Sequence, residues 1–134
     1  MPITLARERL IIARLVLAIM RARAKQIYPE LSVSASYELQ MVATAVFIGH
    51  ASRRPMGATD ISRYIEMPRA TVLRRLAELI RRGIVVRKGR HYCIVPENVN
   101  GPEMLATVRG NIRRIKAAAK ELSKLDENAT GDGT

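Results

Sequence analysis

Apolar positions along the chain recur in patterns that predict five helices and one β-hairpin. Residues 4–28 are apolar through most of their middle, which predicts a long helix. Pro29 is expected to end it, because proline disfavours a helical conformation in the residue before it. A second helix is predicted over 35–51, and Ser34 or Ser36 could accept a hydrogen bond from its first turn as the N-cap.

Two shorter helices are predicted next, over 58–67 and 68–82, joined by a tight turn. Gly57 is expected to cap the first of them, with the carboxylate of Asp60 reaching back to the cap amide. Gly83 is expected to stop the second, because glycine readily adopts the left-handed conformation that ends many helices.

A hairpin is predicted after these helices, since the β-branched runs "IVVRK" and "RHYCIV" flank residues 88–90. Gly89 is expected to take a positive φ at its tip. Residues 96–101 are predicted to form a loop, and a last helix is predicted over 102–125. The polar, glycine-containing tail 126–134 is predicted to be disordered.

The helix predicted over 68–82 has one apolar face and one mostly basic face. The residues expected to face the core are Val72, Leu73, Leu76, Leu79 and Ile80. The opposite face and its flank carry Ala70, Thr71, Arg74, Arg75, Glu78 and Arg81. The apolar half would fix the helix to the body of the protein. The basic half would be free to enter the major groove of DNA, where arginine can bond guanine O6 and N7.

Charge narrows the class of partner. The formal net charge is +11, and residues 67–95 hold eight arginines and lysines against one acid, Glu78. Such a surplus favours a polyanionic partner, either nucleic acid or an anionic membrane surface. With one Phe, four Tyr and no Trp, a stacking platform for single-stranded nucleic acid is not expected.

Candidate chemistry other than nucleic-acid binding is weak. A single cysteine, Cys93, excludes an intramolecular disulfide and suits a cytoplasmic protein. His50 and His91 accompany no cluster of metal ligands, and no nucleophile–base arrangement is evident, so we expect neither metal, cofactor nor catalysis. The apolar run 10–20 is too short for a membrane span, and Arg14 within it counts against insertion into a lipid surface, so no membrane partner is favoured.

The segment "GATDISRYIEMPRATVLRRLAELIRRGIVVR" resembles the winged helix–turn–helix of prokaryotic transcription regulators, MarR-like regulators in particular. That resemblance implies a mainly α fold with a small β-hairpin wing. It implies that the recognition helix meets the major groove or its phosphates through Pro68, Arg69, Ala70, Thr71, Arg74 and Arg75. It implies a wing that contacts the neighbouring minor groove or backbone through Arg87, Lys88, Arg90 and His91.

The two outer helices predict a homodimer interface. Apolar residues of the last helix recur at alternating spacings of three and four, as in a coiled-coil seam, and the apolar first helix is the expected partner for them. The residues expected to mediate dimerisation are Leu15, Ile19, Leu105, Val108, Ile112, Ile115, Ala119 and Leu122. The alternative is that both helices pack on their own domain in a monomer.

These expectations divide the chain into dimerisation helices over 1–30 and 102–125 around a DNA-binding domain over 34–98. The function they favour is a sequence-specific, double-stranded DNA-binding transcription regulator that acts as a homodimer. Two alternatives stay open. One is an architectural or nucleoid protein without sequence preference, and the other is an adaptor that binds proteins or a membrane surface. A small-molecule effector is neither indicated nor excluded.

Overall fold

The computed structural model describes residues 1–132, and the side chains of residues 1–128. It confirms the predicted class: a mainly helical protein with a two-stranded hairpin, arranged as a winged helix–turn–helix. The elements are α1 (Ala6–Ile27), α2 (Val33–Ala51), α3 (Ala58–Ile65), α4 (Arg69–Arg81), β1 (Val85–Lys88), β2 (His91–Ile94), a 3₁₀ turn (Pro96–Asn98) and α5 (Pro102–Asp132).

Helix α2 begins earlier than the sequence indicated, and its N-cap is Ser32 rather than Ser34 or Ser36. Ser32 has extended backbone angles, and its hydroxyl accepts a hydrogen bond from the amide of Ala35 at 3.2 Å. Ser36 lies inside the helix, buried, with its hydroxyl donating to the carbonyl of Val33 at 2.9 Å. Three serines at alternate positions are equivalent as cap candidates in the sequence, so only the backbone angles decide among them.

Helix α5 is longer than predicted and continues to Asp132 instead of ending near Leu125. The prediction of a disordered tail over 126–134 is therefore wrong for residues 126–132, and residues 133–134 lie outside the described part of the chain. Residues 126–130 contain neither proline nor glycine, so nothing interrupts the helical hydrogen bonds there.

The core of the protein lies between α2, α3, α4 and the hairpin, which together we call the winged domain. Its most buried side chains are Leu39, Val42, Val46, Ile61, Val72, Leu76, Leu79 and Val85. The predicted apolar stripe of α4 is narrower than expected, because Leu73 and Ile80 remain 37% and 41% exposed. Thr71 is buried instead, at 9% exposure.

Strand β2 joins the hairpin to the rest of the winged domain through two hydrogen bonds. Val85 pairs with Ile94 at its base, and Gly89 takes the positive φ of 64° that the tip requires. The amide of Tyr92 donates to the carbonyl of Met56 at 3.0 Å, which ties β2 to the segment just before α3. The amide of Ile94 donates to Nδ1 of His50 at 2.9 Å. The main chain of β2 is therefore anchored both to the segment before α3 and to the imidazole of His50 in the last turn of α2.

Helices α1 and α5 lie side by side, and we call the pair the arm. No other two elements share so extensive a contact. The hydroxyl of Thr107, near the start of α5, donates to Oε1 of Gln26, near the end of α1, at 3.0 Å. Since the end of one helix meets the start of the other, the two run antiparallel. Arg23 of α1 donates to the hydroxyl of Thr44 on α2, which joins the arm to the winged domain.

Over most of its length, the face of α5 that meets α1 is offset by one residue from the predicted seam. The less exposed positions of α5 within residues 102–128 are Met104, Thr107, Gly110, Asn111, Ala118, Leu122 and Leu125, of which Leu122 belongs to the predicted seam. Leu105, Val108, Ile112 and Ile115 stay between 37% and 50% exposed. Of the eight residues predicted to mediate dimerisation, Leu15, Ile19 and Leu122 are half-buried within the arm, and Ala119 is exposed. A stripe of apolar residues on α5 is thus left without a partner in the described protomer.

Candidate nucleic-acid interface

The turn between α3 and α4 is fixed by local hydrogen bonds. At the start of α3, the amide of Gly57 donates to Oδ2 of Asp60 at 3.0 Å, as the sequence predicted. Glu66 adopts left-handed angles, with φ 53°, and ends that helix. The hydroxyl of Ser62 then donates to the carbonyl of Met67 at 2.6 Å, so Ser62 stabilises the turn. These bonds determine the angle at which α4 leaves α3.

Helix α4 presents its N-terminal end to solvent. Pro68, Arg69, Ala70 and Arg74 are exposed, and no side chain caps the first amides of the helix. Arg69 leans towards α3, where its Nε donates to the hydroxyl of Thr59 at 3.1 Å. Uncapped amides at a helix N-terminus attract anions, phosphate among them. This end of α4 can therefore offer both charge and main-chain donors to a phosphate backbone.

The wing lies close against the start of α3. Arg87, Lys88, Arg90 and His91 are all exposed, and Nε of Arg87 donates to the carbonyl of Gly89 at 2.8 Å. A Cβ atom at Gly57 would lie 2.9 Å from the carbonyl oxygen of Arg90, so this close approach requires glycine.

Between the wing and the two helices runs a groove of ≈ 480 Å³. The polar side chains that line it are Thr59, Asp60, Arg69, Arg87, Arg90 and His91. Asp60 supplies the one carboxylate among these residues, and its Oδ2 already accepts the amide of Gly57. Within residues 1–128, none of the three arginines forms an ion pair, so the groove carries uncompensated positive charge. We call it the basic groove.

Two of the predicted contact residues are directed away from the basic groove. Arg75 donates twice to Oε1 of Glu38 on α2, at 2.7 Å from Nη2 and 3.0 Å from Nε, and also pairs with Glu78 at 3.4 Å. Thr71 is nearly buried, and its hydroxyl accepts a bond from Arg74 at 3.3 Å. Successive helical residues are about 100° apart, which turns Arg75 from the face of Arg74 towards α2.

Additional bases lie beside this surface, some of which sequence reasoning had overlooked. Arg53 and Arg54 are exposed in the connection between α2 and α3, where the sequence indicated only a break in the pattern. Arg54 lines a shallow groove together with Arg63 and the exposed Tyr64 of α3. The dipeptide "RR" beside a predicted helix–turn–helix was the available signal.

Other chemistry finds little support in the described residues. Cys93 is buried in β2, and His50 is engaged by the hairpin. Residues 1–132 contain no group of three or more His, Cys, Asp or Glu side chains that could hold a metal ion. Over the same residues, no helix combines the length and the apolar character needed to cross a membrane.

A family model agrees with this geometry. The model of the IclR helix-turn-helix domain matches residues 50–89, from the last turn of α2 to the tip of the wing. Searches of curated proteins and of solved structures find no match. The match supports a prokaryotic helix–turn–helix transcription regulator that binds DNA. It does not confirm the MarR-like resemblance, because IclR is a different winged-helix family.

Proposed function

We propose that the protein is a homodimeric transcription regulator that reads a specific sequence of double-stranded DNA. The observation that carries this proposal is the basic groove, where unpaired arginines from α4 and from the wing converge beside the uncapped start of α4. Phosphates would supply most of the affinity there, and arginines that reach base edges would supply the sequence preference.

We assign the proposed DNA contacts to the side chains of α4 and the wing that are exposed. Arg74, on the outer face of α4, is the residue best positioned to reach a base edge, and Arg69 would bind a base or a phosphate. Pro68 and Ala70 are exposed small residues that let the backbone approach DNA closely. The wing would contact backbone or minor groove through Arg87, Lys88, Arg90 and His91. Thr71 and Arg75 would position α4 rather than touch DNA.

The proposed dimer interface is the apolar side of the arm. On α1, Ile12 and Val16 are about half exposed, and on α5 so are Val108, Ile112 and Ile115. Each of these stripes lies about 90° clockwise from the side that faces the other helix, seen from its own N-terminus. Because α1 and α5 run antiparallel, a rotation in the same direction on each helix brings both stripes to the same side of the arm.

This apolar face continues onto the winged domain. An apolar pocket of ≈ 460 Å³ lies where the arm meets α2 and the hairpin, lined by Leu105 and Val108 from α5 and by Phe47 from α2. Phe47 is 55% exposed, unusually high for an aromatic side chain beside an apolar pocket. A second copy of the chain seated on the face would cover both helices and Phe47 together. We therefore propose that residues 1–30 and 102–132 serve dimerisation and 34–98 serve DNA binding.

Dimerisation has a direct consequence for the DNA site. Two copies related by a two-fold axis would present two α4 helices to successive major grooves, about 34 Å apart. The bound sequence would then be palindromic, with its half-sites separated by about one turn of the duplex.

The test is selection of bound fragments from a random duplex library at near-physiological salt, followed by sequencing. We expect a palindromic motif, and we expect Arg74→Ala to relax the preference at one base of each half-site. A variant with Lys88→Ala, at the tip of the wing, is the matched control and should lower affinity without changing the motif. Recovery without enrichment would contradict the proposal and favour an architectural protein.

A further inference from the structure

Helix α5 carries a line of bases that the winged domain does not use. The five residues are Arg109, Arg113, Lys116, Lys120 and Lys124, all exposed, at spacings of four, three, four and four. With about 100° and 1.5 Å per residue, they lie within about 80° of one another along about 22 Å of helix. We call them the α5 basic stripe.

The α5 basic stripe faces away from the rest of the protomer. Ala118 is the buried residue of α5 and marks the side that packs on α1. Lys116 and Lys120 are two positions before and after it, about 160° around the helix from Ala118. Ile112 and Ile115 lie between the two sides, on average about 90° from Ala118 and about 110° from the centre of the stripe. A second copy that covers the apolar face would therefore leave the stripe in solvent.

The charges of the stripe are not neutralised by neighbours. Within residues 1–128, none of its five bases takes part in an ion pair. Glu121 is about 100° away around the helix from the centre of the stripe, and Glu127 lies on the same side as the stripe but three residues beyond its last lysine. Five like charges on one helix face repel one another, which costs stability unless a polyanion binds there.

We propose that the α5 basic stripe is a second DNA-binding surface, which holds a segment of duplex through its phosphates and without sequence preference. A dimer bound to its operator through α4 would then hold another stretch of duplex on the arm. This inference goes beyond the proposed regulator, since it concerns a different surface and requires neither α4 nor the wing.

Spacing and composition favour duplex DNA over a lipid surface. The stripe presents one charge per about 5–6 Å against a duplex that carries one phosphate charge per about 1.7 Å of axis. Its own face contains no large apolar residue that could insert into lipid, because Val108, Ile112 and Ile115 lie on average about 110° away, on the face assigned to the second copy.

Helix α1 offers a matched control. Arg7, Arg14, Arg21 and Lys25 also lie along one exposed side, but they spread over about 27 Å, or about 9 Å per charge. Their side of α1 is only about 70° from the one that packs on α5, so the neighbouring helix shields it in part. Replacing these four residues with glutamine removes four positive charges, against five for the α5 basic stripe. Their arrangement is less favourable for binding a duplex.

The experiment measures binding of a labelled duplex of arbitrary sequence over a salt series, with the full chain. The starting variant carries Arg69→Gln and Arg90→Gln, which remove two of the three arginines of the basic groove, and Arg74→Gln, which removes the exposed arginine on the outer face of α4. To it we add either glutamine at all five stripe positions or glutamine at the four α1 positions. Glutamine is a good helix former, and circular dichroism verifies that each variant folds. A stripe variant with Lys116→Arg, Lys120→Arg and Lys124→Arg keeps the charge.

We expect the stripe replacements to weaken residual binding at least tenfold and to reduce the slope of log affinity against log salt by about 3 to 4. The α1 replacements should reduce the slope by less than half as much, and the three arginine replacements should leave it unchanged. An unchanged affinity and slope in the stripe variant would overturn the inference. So would a loss confined to binding of phosphatidylglycerol vesicles. Failure of the proposed regulator is distinct, since the starting variant would then bind duplex as tightly as the wild type.

Discussion

The winged domain and the arm differ in how completely each buries its apolar residues. The winged domain surrounds a continuous aliphatic core that α2, α3, α4 and the hairpin all supply. The arm is built from helices of 22 and 31 residues, yet within residues 6–27 and 102–128 its buried residues are two alanines, Ala24 and Ala118. Apolar side chains on one side of the arm remain about half exposed. A domain with a closed core, to which Tyr28 at the end of α1 also contributes, thus adjoins a pair of helices whose apolar side is left uncovered.

Arginines in the winged domain show a second contrast. Arg75 and Arg82 are held by carboxylates, Arg75 by Glu38 and Arg82 by Glu30, and Arg82 also lies 5.0 Å from the ring centroid of Tyr28. Those of the basic groove have no such partner among the described residues. Arginine in this domain therefore has two roles: one group fastens α4 to its neighbours, and the other is available to a polyanion.

The largest expected effect is the loss of dimerisation when one residue of the arm is replaced and the winged domain stays folded. Ile112→Asp would introduce a carboxylate into the proposed interface, and two-fold symmetry makes the cost count twice, about 4 kcal/mol or more in dimer stability. Light scattering should show a protomer mass for this variant at concentrations where the wild type is a dimer. Arg113→Asp, one residue further on the basic stripe, is the control and should stay dimeric. Equal masses for wild type and Ile112→Asp would count against the interface.

The next largest effect concerns the stability of the winged domain and its buried core. Leu79→Ala would leave a cavity in the closed core of the winged domain, and we expect a loss of about 3 kcal/mol in the free energy of unfolding. The same truncation at Leu73, which is 37% exposed, should cost less than about 1.5 kcal/mol. Urea denaturation measures both. Similar losses at the two positions would mean that the core boundary on α4 is misplaced.

Tyr28 offers a pH-dependent test at the junction of the two regions. Its side chain is fully buried, its hydroxyl has no hydrogen-bond partner within residues 1–128, and burial raises its pKa to about 12. The unfolded chain ionises near pH 10, so stability should fall between about pH 10 and 12, by about 2 kcal/mol in all.

Tyr28→Phe removes both the unsatisfied hydroxyl and the ionisation. We expect it to unfold at the same or a slightly higher urea concentration at pH 7, since no hydrogen bond is lost. It should also lack the part of the alkaline loss that Tyr28 causes. An alkaline decline as steep as that of the wild type would assign the loss to other groups.

The smallest effect concerns the pair that holds α4. Glu38→Gln would free Arg75, and because both side chains are partly exposed we expect a loss of at most about 1 kcal/mol in stability. A double-mutant cycle with Arg75→Gln, followed by urea denaturation, isolates the coupling between the two. A coupling near zero would show that packing alone orients Arg75.

Local rules were enough to predict the turns. The Gly57–Asp60 capping box and the positive φ at Gly83 and Gly89 depend on residues close in sequence, and each was predicted correctly. Contacts between distant segments were not accessible in this way. Glu38 lies 37 positions from Arg75, and no spacing rule connects them.

The arm shows that periodic sequence patterns also fail to identify which segments contact each other. Met104, Thr107, Asn111 and Ala118 follow the same spacing as the predicted seam residues Leu105, Val108, Ile112 and Ala119, one residue apart. The more apolar series was predicted to pack on α1, but the other series does so. Periodicity indicates that a helix has an apolar side without indicating which neighbour will cover it.

The most direct measurement is duplex binding by two sets of variants that each remove two arginines, unpaired in one set and paired with carboxylates in the other. One set carries Arg69→Gln and Arg90→Gln in the basic groove, and the other carries Arg75→Gln and Arg82→Gln. On the selected duplex, we expect the first set to lose affinity by about a hundredfold or more and the second by less than about threefold. Equal losses in the two sets, or no loss in the first, would contradict the assignment of the basic groove as the surface that binds DNA.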